Sequence, residues 1–285
     1  MLDSPTVPVA QLAALLGGDD LTIVDCRFDL AEPGRGESEY AEAHIPGAVY
    51  AHLDQDLSAT KTGRNGRHPL PSAEEMSERF SSWGIDTDVH VVAYDAGAGH
   101  FAARLWWMLR YLGHERVSLL DGGFKAWKDG SFPVRTGREE RTPRRFDARP
   151  HAKMRVDLTD LLESSAQDKR LLIDARDPAR YRGDSEPLDP VAGHIPGARN
   201  HFWQNNLDER GLFLPPERLR DHYASLLADT APEDAIVYCG SGVTACHNLI
   251  ALELAGVRGA KLYPGSWSEW CADPERPVET GDKGD

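Results

Sequence analysis

The residues best placed to do chemistry lie in segment 239–245, which reads Cys-Gly-Ser-Gly-Val-Thr-Ala. Apolar residues 235–238 precede it and predict a short buried strand, and residues 244–255 predict a helix. The two glycines allow a tight turn whose backbone N–H groups face inward, and the start of a helix adds partial positive charge. Both effects favour a thiolate over a thiol. Cys239 is therefore predicted to be a nucleophile.

The charge and the hydrophobic pattern exclude several classes of partner. The chain has 285 residues and a formal net charge of −14, which argues against nucleic acid and against an anionic membrane surface. The richest apolar run, 101–112, is interrupted by Arg104 and Arg110 and is too short to span a bilayer. We therefore expect neither a nucleic-acid partner nor a membrane partner.

The cysteines and the N-terminus favour a cytoplasmic protein. Four cysteines, none of them in a C-x-x-C pair, do not form the pattern of a disulfide framework or a zinc site. The first residues lack a basic segment followed by an apolar one, so no secretory signal is expected. Free thiols are typical of a reducing compartment.

Features of the first half recur in the same order in the second. His44-Ile-Pro-Gly-Ala corresponds to His194-Ile-Pro-Gly-Ala, and the strand ending at Tyr94 corresponds to the one ending at Tyr238. Strands that alternate with helices predict an α/β fold with a parallel sheet covered on both faces. The sequence therefore predicts two tandem domains, 1–138 and 150–285, joined by a polar stretch.

The internal repeat allows the two loops to be compared. The position that corresponds to Cys239 in the first half holds Asp95. Only the second copy can therefore carry thiol chemistry. The first domain is expected to be non-catalytic, either as a scaffold or as a source of residues for a shared cleft.

Across about residues 5–275 both halves resemble the rhodanese superfamily. The landmarks are the Asp-x-Arg strand ends that start at Asp25 and Asp174, the two His-Ile-Pro-Gly-Ala turns and the cysteine loop. The resemblance implies two tandem rhodanese-like domains. Thiosulfate-using rhodaneses usually have basic residues after the cysteine, where this chain has Gly240 and Ser241. The loop is therefore more similar to that of members that use 3-mercaptopyruvate.

The resemblance implies a sulfurtransferase reaction through Cys239. Its thiolate attacks the sulfur of 3-mercaptopyruvate, pyruvate leaves, and a persulfide remains on the enzyme. The outer sulfur then passes to thioredoxin, to a low-molecular-weight thiol or to cyanide. The loop amides stabilise the anions, and the reaction needs no metal or organic cofactor. The substrate-binding loop residues are Gly240, Gly242, Val243 and Thr244.

The resemblance also assigns roles to side chains outside the loop. Arg180 matches an arginine that binds the substrate carboxylate. Ser241, His68 and Asp54 match a proposed relay that helps protonate the departing enolate. His68 and Asp54 would come from the first domain.

One position departs from the pattern of members that use mercaptopyruvate. They often have a second arginine in a Glu-Pro-Arg segment, where this chain has Glu186-Pro187-Leu188. Arg182 and Arg199 are the candidates to replace that arginine.

Other recurring residues are expected to have structural roles. His44 and His194 occur in both halves, and one half lacks the cysteine, so a role in folding is favoured over catalysis. Asp25 and Asp174 are expected to accept hydrogen bonds from backbone amides. A role in the core is favoured for four further residues: Trp106, Trp107, Trp127 and Cys246.

Three alternative functions differ in the residues that they require. A cysteine phosphatase needs Cys-x5-Arg, but Ala245 stands where the arginine is required. A non-catalytic binding module would have lost the cysteine, which is true of the first half only. Thiosulfate:cyanide sulfur transfer by the same Cys239 remains the main alternative.

Overall fold

A computed structural model of the chain describes residues 4–163 and 170–282. These residues form two compact units. The first consists of the chain up to Ala59, Pro71–His151 and Asp208–Phe213; the second consists of Thr60–Leu70, Ala152–Leu207 and the chain from Leu214 onward. Residues 60–70, which the sequence assigns to the first domain, therefore make their contacts within the second unit.

The first unit is built on a five-stranded parallel sheet. Its strands are β1 (Thr6–Val7), β2 (Leu21–Asp25), β3 (Ala48–Tyr50), β4 (His90–Tyr94) and β5 (Val117–Leu120). Their order across the sheet is β1-β5-β4-β2-β3, and every pair is parallel. The helices described in this unit are α1 (Val9–Ala13), α2 (Arg35–Glu42), α3 (Ala73–Ser82), α4 (Ala102–Tyr111) and α5 (Gly123–Asp129).

The sheet of the first unit is buried on both faces. Leu21 and Ile23 of β2 pack in one cluster with Trp127 of α5. Thr22 and Val24 alternate with them, so they point to the opposite face, and both are fully buried. The continuous apolar strands of this unit follow from that burial.

The second unit repeats this arrangement with four strands. They are β6 (Leu171–Asp174), β7 (Arg199–Asn200), β8 (Ala235–Tyr238) and β9 (Lys261–Leu262), in the order β7-β6-β8-β9 and all parallel. Its described α-helices are α6 (Leu158–Leu162), α7 (Pro178–Arg182), α8 (Pro216–Leu227), α9 (Thr244–Leu254) and α10 (Ser266–Trp270). Three 3-10 turns lie at Ala152–Met154, Trp203–Asn206 and Pro232–Asp234.

The strand register in the second unit brings the carboxyl ends of β6 and β8 together at one edge of the sheet. Asp174 at the end of β6 is paired with Tyr238 at the end of β8. The carboxyl ends of neighbouring parallel strands meet at the same edge, which is where open α/β sheets usually bind ligands. Cys239 follows Tyr238 directly, so it emerges at this edge.

The fold class predicted from sequence is confirmed. Strand β8 spans the predicted residues 235–238, and α9 ends one residue before the predicted 255. Strand β3 and helix α2 were not predicted. β3 has only three residues. Helix α2 contains few apolar residues, and its N-cap is a glycine, which has no side chain to cap the helix.

The two His-Ile-Pro-Gly-Ala turns have the structural role predicted for them. His44 Nδ1 lies 2.8 Å from the Tyr40 carbonyl oxygen and stacks on the Tyr40 ring, and His194 makes the same pair of contacts with Tyr181. Asp25 and Asp174 accept from the backbone N–H two residues later, as predicted. The residues predicted to be core are also buried: Trp106, Trp107, Trp127 and Cys246.

Within the described residues no helix is both long and apolar enough to cross a membrane.

Candidate active site

Cys239 is held by α10 and the turn before it. Its carbonyl oxygen accepts from the Trp267 N–H at 2.9 Å, and its own N–H donates to Ser266 Oγ at 3.1 Å. The residue is only 2% exposed. The backbone around the thiol is therefore fixed before any substrate arrives, as precise positioning of a nucleophile requires.

Ser266 has a backbone conformation that is unusual for a residue with a side chain. Its φ is +56°, in the left-handed region, and it is fully buried. Gly123 corresponds to it in the first unit, with a φ of +54° that costs glycine little. The second unit thus retains a strained serine whose hydroxyl both accepts from Cys239 and donates to the Tyr263 carbonyl at 2.9 Å.

Ser266→Ala is expected to destabilise the second unit by about 1–3 kcal/mol, because the buried Cys239 N–H loses its acceptor while the left-handed strain remains. Ser266→Gly removes the same hydroxyl but relieves the strain, which is worth about 1–2 kcal/mol. We therefore expect the alanine variant to be the less stable of the two in urea unfolding. Equal stability of the two variants would show that the conformation at residue 266 carries no strain.

The loop after Cys239 runs close to other backbone. Gly242 has a φ of +72°, and a Cβ on it would collide with the carbonyl oxygen of Pro264. A Cβ on Gly240 would lie 2.7 Å from Arg67 Nη2 and 3.5 Å from both terminal nitrogens of Arg180. Gly240 is therefore the point at which two guanidinium groups approach the loop that follows Cys239.

Two members of the predicted relay are brought together. His68 Nδ1 lies 2.7 Å from Ser241 Oγ, and both side chains are buried. His68 is in segment 60–70, so this contact lies within the second unit. Asp54 lies in the first unit and is half-buried, and its role in the relay stays a prediction.

Arg180, on α7, is held by two buried carboxylates. Its guanidinium donates to Glu186 at 2.7–3.1 Å and to Asp189 Oδ2 at 3.2 Å. Arg67 pairs with the other oxygen of Asp189, Oδ1. The Glu186 and Asp189 side chains are 3% and 2% exposed. The two arginines are thus linked through one carboxylate.

A third arginine, Arg176, also binds Glu186 and so restricts the movement of this cluster. Arg176 donates to Asp174 at 2.6–3.0 Å, to Glu186 at 3.2 Å and to the Gly193 carbonyl at 2.7 Å. Its guanidinium also lies 4.8 Å from the ring centroid of Trp267. Burial by itself would lower the pKa of Arg176, but the charge and hydrogen bonds of Asp174 raise that pKa above its ordinary value. Arg176 therefore stays charged.

The corresponding loop of the first unit already contains an anion. The Asp95 carboxylate accepts from the N–H groups of Gly97 at 3.0 Å, Gly99 at 2.9 Å, Phe101 at 2.9 Å and Ala102 at 3.4 Å. The backbone of Asp95 is held in the same way as that of Cys239. The Phe124 N–H donates to the Asp95 carbonyl at 2.8 Å, as the Trp267 N–H does to the Cys239 carbonyl. This type of strand-to-helix loop therefore directs several amides at one buried anion.

Sequence reasoning missed Arg67, Asp189 and Ser266. Arg67 adjoins His68, which the resemblance had singled out, but nothing in its neighbourhood indicates a pairing with Asp189. A signal for Ser266 was available, since alignment of the two halves sets it against Gly123, at a position after a strand where a turn is needed.

The described residues contain no group of three or more His, Cys, Asp or Glu side chains placed to hold a metal ion. Ala245, six residues after Cys239, is fully buried and offers no charge to a phosphate.

Comparison with known proteins identifies the family of the chain. The family model for the rhodanese-like domain matches residues 8–130 and 157–273. A Pseudomonas aeruginosa protein named "Probable 3-mercaptopyruvate sulfurtransferase" is 47% identical over 99% of this chain and 100% of its own length. A Mycobacterium tuberculosis protein named "Putative thiosulfate sulfurtransferase SseB" is 39% identical over 96% of each chain.

A solved structure extends the comparison. The crystal structure of SseA from Escherichia coli, titled as a 3-mercaptopyruvate sulfotransferase, superposes with a TM-score of 0.79 at 33% identity. The match covers 93% of this chain and 99% of that one. The chain belongs to the rhodanese family, with one rhodanese-like domain in each half.

Proposed function

We propose that this chain is a 3-mercaptopyruvate sulfurtransferase that carries sulfur as a persulfide on Cys239. The observation that carries the proposal is the position of the Arg180 guanidinium. It lies beside Gly240, the residue after the thiol, where it can bind the carboxylate of an anionic sulfur donor. Relatives with this activity in their names match the chain over nearly its whole length.

In the first half-reaction, the Cys239 thiolate attacks the thiol sulfur of 3-mercaptopyruvate. A new S–S bond forms, and the bond between sulfur and C3 of the donor breaks. The electron pair of that bond goes to the pyruvate fragment, which leaves as its enolate and takes up a proton. The donor's own S–H proton stays with the outer sulfur or is lost to solvent, so that Cys239 holds a persulfide.

The loop amides and the relay residues support this step. In the first unit, equivalent backbone donors bind the Asp95 carboxylate, which supports the assignment of Gly240, Gly242, Val243 and Thr244 to anion binding in the second. The 2.7 Å contact between Ser241 and His68 supports proton delivery to the enolate. We propose that Asp54 orients His68.

In the second half-reaction, a nucleophile attacks the outer sulfur of the persulfide. The S–S bond breaks, and Cys239 returns as a thiolate. We propose thioredoxin or a low-molecular-weight thiol as the acceptor in the cell and cyanide as a convenient acceptor in an assay. The proposed location is the cytoplasm, in agreement with four cysteines that are all free.

Thiosulfate is the second candidate donor. It is favoured by the name of the Mycobacterium tuberculosis relative. Against it, no basic residue directly follows Cys239, since Gly240 and Ser241 occupy those positions. Thiosulfate carries two negative charges and needs more positive charge at this point than a monocarboxylate does.

Mass spectrometry of the intact protein tests the proposal directly. After incubation with 3-mercaptopyruvate and removal of excess donor, we expect a gain of one sulfur atom on Cys239, which cyanide removes as thiocyanate. Steady-state comparison should give a higher kcat/KM for 3-mercaptopyruvate than for thiosulfate at a fixed cyanide concentration. A higher kcat/KM for thiosulfate would overturn the choice of donor, and an unchanged mass with both donors would overturn the persulfide.

A further inference from the structure

A second guanidinium, that of Arg67, lies beside Gly240, the first residue after Cys239. Arg67 Nη2 is 2.7 Å from the position that a Cβ on Gly240 would occupy, which is closer than either terminal nitrogen of Arg180. The backbone N–H of Arg67 donates to Ser268 Oγ at 3.0 Å, so the segment that carries it is anchored to α10. Arg67 is therefore placed beside the loop by the packing of segment 60–70.

Asp189 orients this guanidinium. Its Oδ1 pairs with Arg67 Nη1, and its Oδ2 accepts from Arg180 Nη2 at 3.2 Å. A carboxylate that binds one arginine with each oxygen holds the two guanidiniums near each other. Because the Nη1 edge of Arg67 is bound to Asp189, the Nη2 edge is presented to Gly240 and the space beside it.

One arginine of the charged cluster is more accessible than the other two. The cations are Arg67, Arg176 and Arg180, and the anions are Asp174, Glu186 and Asp189. The cluster itself is close to neutral. The Arg67 side chain is the most exposed of the three arginines, at 26%, against 17% for Arg180 and 1% for Arg176. Arg67 is therefore the cation of the cluster most accessible to a bound substrate.

We propose that Arg67 is the second arginine that binds the donor carboxylate and that it replaces the one missing at Leu188. The inference rests on the proposed function, because it assumes an anionic donor beside Cys239. The arginine would thus be supplied by a segment more than a hundred residues earlier in the chain. Arg67 and Arg180 would hold the carboxylate between them while its sulfur faces the thiol.

The two arginines suggested by sequence proximity are engaged elsewhere. Arg182 donates to Asp184 at 2.8 Å, and Arg199 donates to the carbonyl oxygen of Leu226 at 2.7 Å. Leu188 has an exposed side chain, and its backbone N–H donates to Glu186 at 3.1 Å. The backbone of an arginine at position 188 would thus lie two residues after Glu186 and directly before Asp189, the carboxylate that Arg67 binds.

Three variants test the inference by steady-state kinetics with 3-mercaptopyruvate. Arg67→Gln removes the charge, and we expect KM to rise about 10- to 100-fold with kcat changed by less than about threefold, as for loss of a charged hydrogen bond. Arg64→Gln removes an exposed arginine three residues earlier and should leave both constants as in the wild type. Leu188→Arg in the Arg67→Gln background should recover most of the lost affinity.

Thermal denaturation separates a binding role from a structural one. The Arg67→Gln variant also breaks the pair with Asp189, so its melting temperature is compared with that of Arg67→Lys, which keeps the charge but not the planar fork. Under our inference Arg67→Lys has a KM between those of the wild type and Arg67→Gln. Equal KM values for the glutamine variant and the wild type would overturn the inference. So would a loss of kcat with no rescue by Leu188→Arg.

The proposed function and this inference fail in different ways. Absence of turnover of 3-mercaptopyruvate by the wild-type protein would contradict the proposed function. Normal wild-type turnover, a raised KM in Arg180→Gln and an unaltered KM in Arg67→Gln would contradict the role of Arg67 alone.

Discussion

Cys239→Ser is expected to lower the rate of sulfur transfer by at least about 10⁴-fold, because a serine hydroxyl cannot form the persulfide. The other thiol near this loop, Cys246, is fully buried and donates to the Gly242 carbonyl at 3.4 Å. The variant should also show no gain of sulfur in the mass measurement. Serine has nearly the same shape, and the backbone hydrogen bonds to Ser266 and Trp267 do not involve the side chain. The fold should therefore be retained.

Substitution of a second buried cysteine, Cys26, controls for the general effect of losing a buried thiol. Cys26 follows β2 in the first unit and is 1% exposed. Its weak contact to the Val24 carbonyl, at 3.9 Å, can also be made by a serine hydroxyl. Cys26→Ser should transfer sulfur at close to the wild-type rate. Residual turnover in Cys239→Ser at the level of Cys26→Ser would end the assignment of Cys239 as the nucleophile.

Asp95→Ala is expected to lower the free energy of unfolding of the first unit by about 3–5 kcal/mol. The carboxylate accepts from four backbone N–H groups, and its removal leaves these donors without that acceptor. Hydrogen bonds to a charged group are worth about 1.5–3 kcal/mol each, but they are not additive, and water can enter part of the space. Asp95→Asn keeps one acceptor and should lose less.

The measurement must report on the first unit. Hydrogen exchange of the β2 and β4 amides in urea does so. Asp129→Ala is the control, because Asp129 makes only an exposed ion pair with Lys125 and should change stability by less than about 0.5 kcal/mol. Protection in Asp95→Ala equal to that of the control would show that the loop amides do not depend on an anion, and would weaken the same argument for the Cys239 loop.

Local sequence patterns were sufficient for the fold class and for the position of Cys239 between a buried strand and a helix. The apolar run 235–238 forms β8, and the glycines after Cys239 allow the backbone to turn into α9. These elements depend on residues a few positions apart, so a single sequence contains their signal. The repeat added a comparison within the chain. It showed that Asp95 takes the place of the thiol, which leaves one sulfur-carrying loop in the protein.

The tertiary structure decided which side chains surround that loop. Ser241 and His68 are 173 residues apart in sequence, and Arg67 and Asp189 are 122 apart. No periodicity or local motif reports pairings of such separation, which depend on how segment 60–70 packs within the second unit. The resemblance to a family supplied His68, but it places the second arginine at position 188, where this chain has a leucine. The packing of segment 60–70 brings Arg67 beside Gly240, where we propose that it takes that role.

The surroundings of Cys239 illustrate what the local sequence determines and what packing determines. Its type and its position after a buried strand are local facts, so the sequence alone predicts sulfur chemistry at this residue. The strained Ser266 that binds its N–H and the two guanidiniums beside Gly240 come from segments distant in the chain. Only packing brings these groups to the thiol, because burial, rather than chain proximity, selects the partners of a polar group.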